Sequence, residues 1–467
     1  MAKTKTQILQ SKLRKQESNV YPLLEINFEE MPIFAMAAHP SKSLIALGFA
    51  TGHVQMITYD PKTLKEEARN LFKAFRSDYK GQTKSVMNTD RKWWRVDKLK
   101  IHATKDSLIQ WKTKRHKGSC RALCFDPSGS KLFTAGSDNV LKCANSVTGK
   151  VLYKVVLDIK SRISKMIVAP TKPLILIGDE SGNVHVYDQR TLKKLHFIEN
   201  CHGDAVNGIV SLASTNENEF VSCGSSSLTH FNVKSGIIAE SEDQEDEIMS
   251  VTVVDPDNCE VLMCGMSEGG VSVWNKNSNN FDSMIRKTKT GEDSVDSVIG
   301  TLKGDSCVWA GTSGGLVHLI HSKNGKILET REHSKTDDVT FLDLDYEYRL
   351  ITCGTDRVRL WGELQDVEKE EDEEEQEEEE ATTEEEDPSD SSDSTNDVEI
   401  DLPKDISSEY DENKSSINSN DDSRVVSDRS ALLGDIDNPS ESIQKKKRRK
   451  VIKNSGNLVL GSFFAGL

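Results

Sequence analysis

The stretch of this sequence richest in chemical character is RKWWRVDKLK, residues 91–100. It is the densest part of a segment, 73–117, that holds 14 Lys and Arg against 4 Asp and Glu, a net of +10, with Tyr79, Trp93, Trp94 and Trp111 interleaved. Cations neutralise phosphates and flat rings stack on unpaired bases. Arg91, Lys92, Trp93, Trp94, Arg95, Lys98 and Lys100, with Lys112, Lys114, Arg115 and Lys117 further along, therefore form a candidate patch for single-stranded RNA or an acidic protein surface. Trp93 and Trp94 would equally serve as packing in a degenerate eighth blade whose solvated face carries the bases, and both readings stay open. A second cationic run, KKKRRK, places Lys445, Lys446, Lys447, Arg448, Arg449 and Lys450 in the compact form that a nuclear import receptor reads. Beyond it the apolar close SGNLVLGSFFAGL offers Leu458, Leu460, Phe463, Phe464 and Leu467 as anchors for a partner's groove or for the chain's own folded body.

Chemistry of the catalytic kind is missing from the sequence. No Walker loop, GxSxG elbow or HExxH occurs. The Gly-rich GTSGGL at 311–316 recurs in other repeats at the same place, so it reads as a hairpin turn in which Gly supplies positive φ. The eleven His are scattered; His185 and His318 fall in strand-like runs and His116 and His202 near repeat junctions, which suits hydrogen bonding within a fold better than metal ligation. Nine Cys, an odd number without a CxxC pair, argue against a disulfide framework and a zinc site. Cys223, Cys264 and Cys353 each precede a repeat Gly where other repeats have Leu47, Ala135, Ile177 or Ala310, and so read as small buried hydrophobes. The expectation is a binding scaffold and not an enzyme, with no catalytic residue, metal or cofactor.

Charge divides the chain in two. The net of −16 averages a tail, 364–467, with 31 acidic and 12 basic residues, and a body, 1–363, with 45 acidic and 48 basic. The first residues carry bases without an apolar core, and no run of about 18 apolar residues occurs, so neither a secretory signal nor a membrane span is expected, and the protein is read as soluble and intracellular. The organisation reads as a basic extension (1–18), a folded body (19–363), an acidic disordered tail (364–444), the basic cluster (445–453) and the apolar close (454–467). Within the tail, EEDEEEQEEEE (370–380) suits shielding of basic partners or a solubilising spacer, and DPSDSSDS (387–394) suits an acid-directed kinase.

The elements that would position any of these groups come from a repeat. IALGFATGHVQMITY (45–59), ILIGDESGNVHVYDQR (175–190), VLMCGMSEGGVSVWN (261–275) and VWAGTSGGLVHLIHS (308–322) share an apolar run, two Gly four residues apart and alternating apolar residues. Shorter versions at 131–145, 220–232 and 350–361 bring the total to seven. The first Gly of each falls at 48, 136, 178, 224, 265, 311 and 354, spacings of 88, 42, 46, 41, 46 and 43. All but the first fit the period of about 40–45 residues of a four-stranded propeller blade. The first gap carries an insertion of about 60–107 in the first blade. Turn signals such as HPSKS before Gly48 and DPSGS before Gly136 bound strand-length apolar runs, and no amphipathic helical pattern separates them. The last copy ends at Trp361 without a fourth strand, so NVYPLLEINF (19–28) is predicted to supply it and clasp the ring, and 107–118 to return as the outer strand of the first blade.

These residues resemble a WD-repeat β-propeller, with Trp274 and Trp361 at the Trp position and Tyr187 and Phe231 as aromatic substitutes. The resemblance implies an all-β, seven-bladed ring whose blade network of His, Ser or Thr, Asp and Trp is complete only in the last blade, as His333, Thr352, Asp356 and Trp361. The blade order, the Trp-containing insertion, the Glu-rich tail, the basic cluster and the apolar end together resemble the WD-repeat protein fifty-five family, with its fungal Jip-type members. That resemblance implies a nucleolar scaffold in ribosome biogenesis and ribosomal RNA processing. Its expected partners are pre-ribosomal proteins, pre-ribosomal RNA and an import receptor, with no membrane, the chain being a monomer within larger assemblies. Two alternatives remain: Tyr187, Asp188 and Arg190 resemble the WDxR ending with which some WD-repeat proteins dock a cullin ligase adaptor, and the acidic tail would suit a histone chaperone.

Overall fold

The seven repeats become seven four-stranded antiparallel sheets. A computed structural model describes residues 20–28, 31–78 and 108–363. Blade one pairs Ile33–Ala38, Leu44–Phe49, His53–Thr58 and Ile109–Lys114 in that order. Five consecutive blades follow, with inner strands Cys120–Phe125, Ile163–Val168, Gly208–Ser211, Ile248–Val253 and Val295–Gly300. The seventh consists of Phe341–Leu344, Leu350–Cys353, Arg357–Glu363 and, outermost, Val20–Asn27. Each inner strand packs beside the next, and that of blade seven returns to that of blade one, so the circuit closes.

Burial grades outward. Second strands such as Leu44–Phe49 and Leu174–Asp179 are buried along their whole length because a neighbouring blade covers each face. Outer strands alternate, as in Ile109–Lys114 and Arg286–Lys289, because only one face meets the ring. Apolar clusters are correspondingly shared between adjacent blades instead of forming one central core.

The two repeat glycines have different tasks. Gly52, Gly182, Gly269 and Gly315 all sit at φ between +75° and +79°, in the turn after the second strand. A Cβ there would also strike the backbone that leaves the outer strand: on Gly182 it would lie 1.9 Å from the carbonyl oxygen of His202. The earlier glycine lets a neighbour pack directly on the backbone, as Val206 does on Gly178 and Val339 on Gly311.

The amino-terminal strand closes the ring as predicted. Val20–Asn27 pairs antiparallel with Arg357–Glu363, and Tyr21, Leu23, Leu24, Ile26 and Phe28 are buried in one cluster with Ile351 and Leu360 of blade seven and Ile45 and Leu47 of blade one. Glu25 pairs with Arg359, Oε2 to Nη2 at 2.7 Å.

The insertion departs from expectation, because its described beginning is a helix, Pro61–Asp78. Asp60 caps it, accepting from the Lys62 N–H at 3.2 Å and the Thr63 hydroxyl at 2.6 Å, and Pro61 occupies the first helical position. Leu64 and Ala68, four residues apart on one face, bury into the cluster that holds the clasp. No eighth sheet occurs among the described residues.

Candidate interaction surfaces

The junctions between blades hold most of the polar groups that looked reactive in the sequence. In blade seven, Trp361 Nε1 donates to Thr352 Oγ1 at 3.0 Å, and that hydroxyl meets His333 Nδ1 at 2.8 Å. His333 Nε2 faces a carboxylate 3.5 Å away, that of Asp337 and not of Asp356. The expected set is thus corrected at one position: Asp337 sits in the link leading into the blade, and Asp356 contributes its backbone N–H to Asp337. Burial raises the Asp337 carboxyl, but hydrogen bonds from His333, Thr355 and Asp356 outweigh it and hold the group well below the usual range. Burial pushes the His333 imidazole down, which favours its neutral form, although Asp337 opposes the shift. Trp can only donate and an ionised carboxylate can only accept, so the Thr352 hydroxyl passes its proton toward Nδ1 and Nε2 carries the N–H toward Asp337.

Two further blades keep part of this device, while the set that includes the Trp is found only in blade seven. In blade two, with Ala144 at the Trp position, His116 meets Asp138 at 2.9 Å and Thr134 at 3.1 Å. There the carboxylate does come from the turn after the second strand. In blade four His202 meets Ser222 at 2.8 Å, and burial takes its imidazole down to about 4. The signal was a His placed 18–20 residues before a Ser or Thr of the second strand. Each of these His residues also donates its backbone N–H to the second glycine of the preceding blade, Gly52, Gly182 or Gly315.

The basic patch is divided. Arg91, Lys92, Trp93, Trp94, Arg95, Lys98 and Lys100 lie outside the described residues. Within the expected return of 107–118, Ile109–Lys114 forms the outer strand of blade one, where Lys112 and Lys114 alternate outward and Lys117 is exposed beyond the strand. Arg115 is not on the rim, a correction to the expected patch: it is only 4% exposed, its Nη2 donates to the Gly149 carbonyl at 2.9 Å, and its guanidinium lies over Trp111. Trp111 itself donates to the Ser146 carbonyl at 2.8 Å. Both side chains staple blade one to blade two, which their place in a basic run conceals.

The motif offered for adaptor docking is largely committed to its own turn. Tyr187 is buried, and Asp188 accepts from the backbone N–H of Arg190 and of Thr191 and from the Thr191 hydroxyl. Arg190 alone is exposed. Cys223, Cys264 and Cys353 are buried, and burial raises all three thiols. His185 bonds Asp179 and His318 bonds Thr330. Among the described residues no group of three or more His, Cys, Asp or Glu could hold a metal ion. No described helix is long and apolar enough to cross a membrane. The import cluster Lys445, Lys446, Lys447, Arg448, Arg449 and Lys450 and the anchors Leu458, Leu460, Phe463, Phe464 and Leu467 lie outside the described residues.

Seven radial sheets, a terminal clasp and His-centred junctions define a WD-repeat β-propeller. The profile of the WD domain, G-beta repeat, matches residues 109–145, which run from the outer strand of blade one through the third strand of blade two. The chain is 40% identical over 374 residues to WD repeat-containing protein JIP5 of Meyerozyma guilliermondii, covering 76% of this chain and 75% of that one. It is 39% identical over 360 residues to the protein of that name from Eremothecium gossypii (73% and 69%) and 36% identical over 387 residues to that from Saccharomyces cerevisiae (74% and 78%). The chain belongs to the family of WD repeat-containing protein JIP5.

Proposed function

We propose that this propeller is a non-enzymatic scaffold of ribosome biogenesis, working in the nucleolus on precursors of the large subunit. The observation that carries the scaffold reading is the use of its polar chemistry: the junction His, their carboxylates and the buried Cys hold blades together, and the ring is left as a platform. The pathway is supported by the family resemblance and by a chain that joins a near-neutral body to an acidic tail and a basic cluster. Pre-ribosomal proteins and pre-ribosomal RNA are the partners this reading names, and an import receptor would engage Lys445 to Lys450.

Depletion of the protein tests the pathway: large-subunit precursor RNA should accumulate, and unchanged processing would refute it. A fluorescent fusion lacking 445–450 should lose its nucleolar concentration; if it kept that concentration, the cluster would not be the import signal.

A further inference from the structure

Seven outer strands form the rim of the ring, and each leaves one side of its backbone without a strand partner among the described residues. Such an edge pairs readily with another chain unless something guards it. Charged side chains guard blades one, five and six, as Lys112 and Lys114, Arg286 and Lys289, and Glu329 and Glu332. In blade seven the clasp strand contains Pro22, with a register shift beside it. The outer strands of blades three and four are one residue shorter than that of blade two; the first sets Lys194 over Phe197 at 4.6 Å, and the second opens on Gly236. Blade two is the least guarded. Its outer strand, Val151–Val156, reads VLYKVV and holds a single charge, Lys154. Val151 and Leu152 are exposed, and Val156, at 74%, is the most exposed large apolar side chain among the described residues.

We propose that this edge receives an added strand from a separate polypeptide, an extended segment in which Asp or Glu alternates with apolar residues. The two faces of the strand set that chemistry. Tyr153 and Val155 turn inward onto the cluster shared with blade three, while Lys154 and Val156, two residues apart, point the other way and stay exposed. An added strand would therefore meet an ammonium group and an apolar side chain on its open face, beside the free backbone groups. Backbone pairing of this kind supplies affinity, and alternate side chains supply selectivity. Tyr153 donates its hydroxyl to the Gln189 carbonyl at 3.2 Å, which brings the turn bearing exposed Arg190 against the strand. Lys150, Lys154 and Arg190 make no ion pair among the described residues, so their charges are open to a partner's carboxylates. A nucleic acid would leave the apolar row uncovered and finds no free ring, because Lys131 lies over Tyr153 at 5.8 Å. A second copy pairing through the same strand would set two cationic edges against each other. The run 370–380, all Glu, Asp and Gln, has no apolar residue to cover Val156.

The test is the fluorescence anisotropy of a labelled heptapeptide of alternating Glu and Val titrated with the full chain. Saturable binding is expected, weakened about tenfold by Lys154→Glu and by Val156→Asp, both at exposed positions, and unchanged by Lys289→Glu on the rim of blade five. Lys154→Glu should in turn gain affinity for the same peptide with Lys in place of Glu. A strand edge engages only every second backbone N–H of its partner. Of two peptides N-methylated on alternate residues, one on each Glu and one on each Val, one should therefore lose binding and the other keep it. The proposal is overturned if the full chain does not bind, if neither rim substitution weakens binding, or if the two N-methylated peptides bind alike. It is also overturned if the chain is a dimer that Val156→Asp dissociates. Binding that appears only with Val398→Ser, Ile400→Ser and Leu402→Ser would give the edge to this chain's own VEIDL, 398–402, and overturn the assignment to a separate polypeptide.

Discussion

The seam between blades seven and one differs from the junctions elsewhere in the ring. At an interior junction, neighbours in sequence do the joining: Ser164 donates to the Val206 carbonyl at 2.7 Å, Ser297 to that of Val339 at 3.0 Å, and Asn207 to that of Ile248 at 2.8 Å. Those bonds span 41 or 42 residues. At the seam the partners are Ala38 with Asp343 and Tyr59 with Asp345, separated by 305 and 286 residues, while within blade seven the clasp adds Glu25 with Arg359, separated by 334. Closing such loops costs more chain entropy, and the bonds that close the seam are accepted by the carboxylates of Asp343 and Asp345, charged acceptors of the stronger kind. An open stack of repeats is stable in proportion to its neighbour contacts, whereas a ring also depends on the one contact made last.

The sharpest way to break this contrast is to remove the clasp. Deleting residues 20–28 removes five buried apolar side chains, worth roughly 8–15 kcal/mol gross. That is comparable with the entire stability of an ordinary domain, about 5–15 kcal/mol. The cooperative near-ultraviolet melt should disappear, whereas a preserved melt would make the clasp an accessory.

An interior junction should respond less. Gly182→Ala combines a left-handed backbone with a direct clash on the His202 carbonyl, and should lower stability by about 3 kcal/mol or more in urea titrations. Thr352→Val leaves Trp361 Nε1 and His333 Nδ1 without their partner and should cost about 2–4 kcal/mol. Equal stability of the valine variant would mean that the proton chain through Thr352 contributes nothing.

A smaller effect sharpens the comparison through pH. Burial pushes the Asp343 carboxyl up from 3.8 to about 6, although the Ala38 and Leu344 N–H groups oppose the shift. The folded chain therefore holds this proton more tightly than the unfolded chain. The contribution of Asp343 to stability is greatest below pH 4, declines as pH rises toward 6 and is flat beyond. Asp343→Asn retains an acceptor for Ala38 and never ionises. The variant should gain about 1–2 kcal/mol over the parent between pH 4 and 6, read as the difference of two stability profiles. Parallel profiles would remove Asp343 from the seam's pH response.

Much of this contrast could be read from the residues alone. Gly spacing was legible because the turn geometry admits almost no other residue, and the missing fourth strand after Trp361 could be counted. The junction carboxylate was not, since Asp337 and Asp356 both lie close in sequence to the His333–Thr352 pair and only the path of the link decides between them. Arg115 and Trp111 were hidden by their neighbours, because a strand's alternation sends adjacent residues to opposite environments. The insertion helix did announce itself with Asp60–Pro61, a signal overridden by the expectation of further strands.

Hydrogen exchange on Leu24→Ala, a loss of about 2–5 kcal/mol confined to the clasp, tests the closed ring most directly. If closure holds the whole ring, exchange should quicken as much in Leu174–Asp179 of blade three as in Leu350–Cys353 of blade seven. Acceleration limited to blade seven and its neighbours, with blade three unchanged, would contradict it.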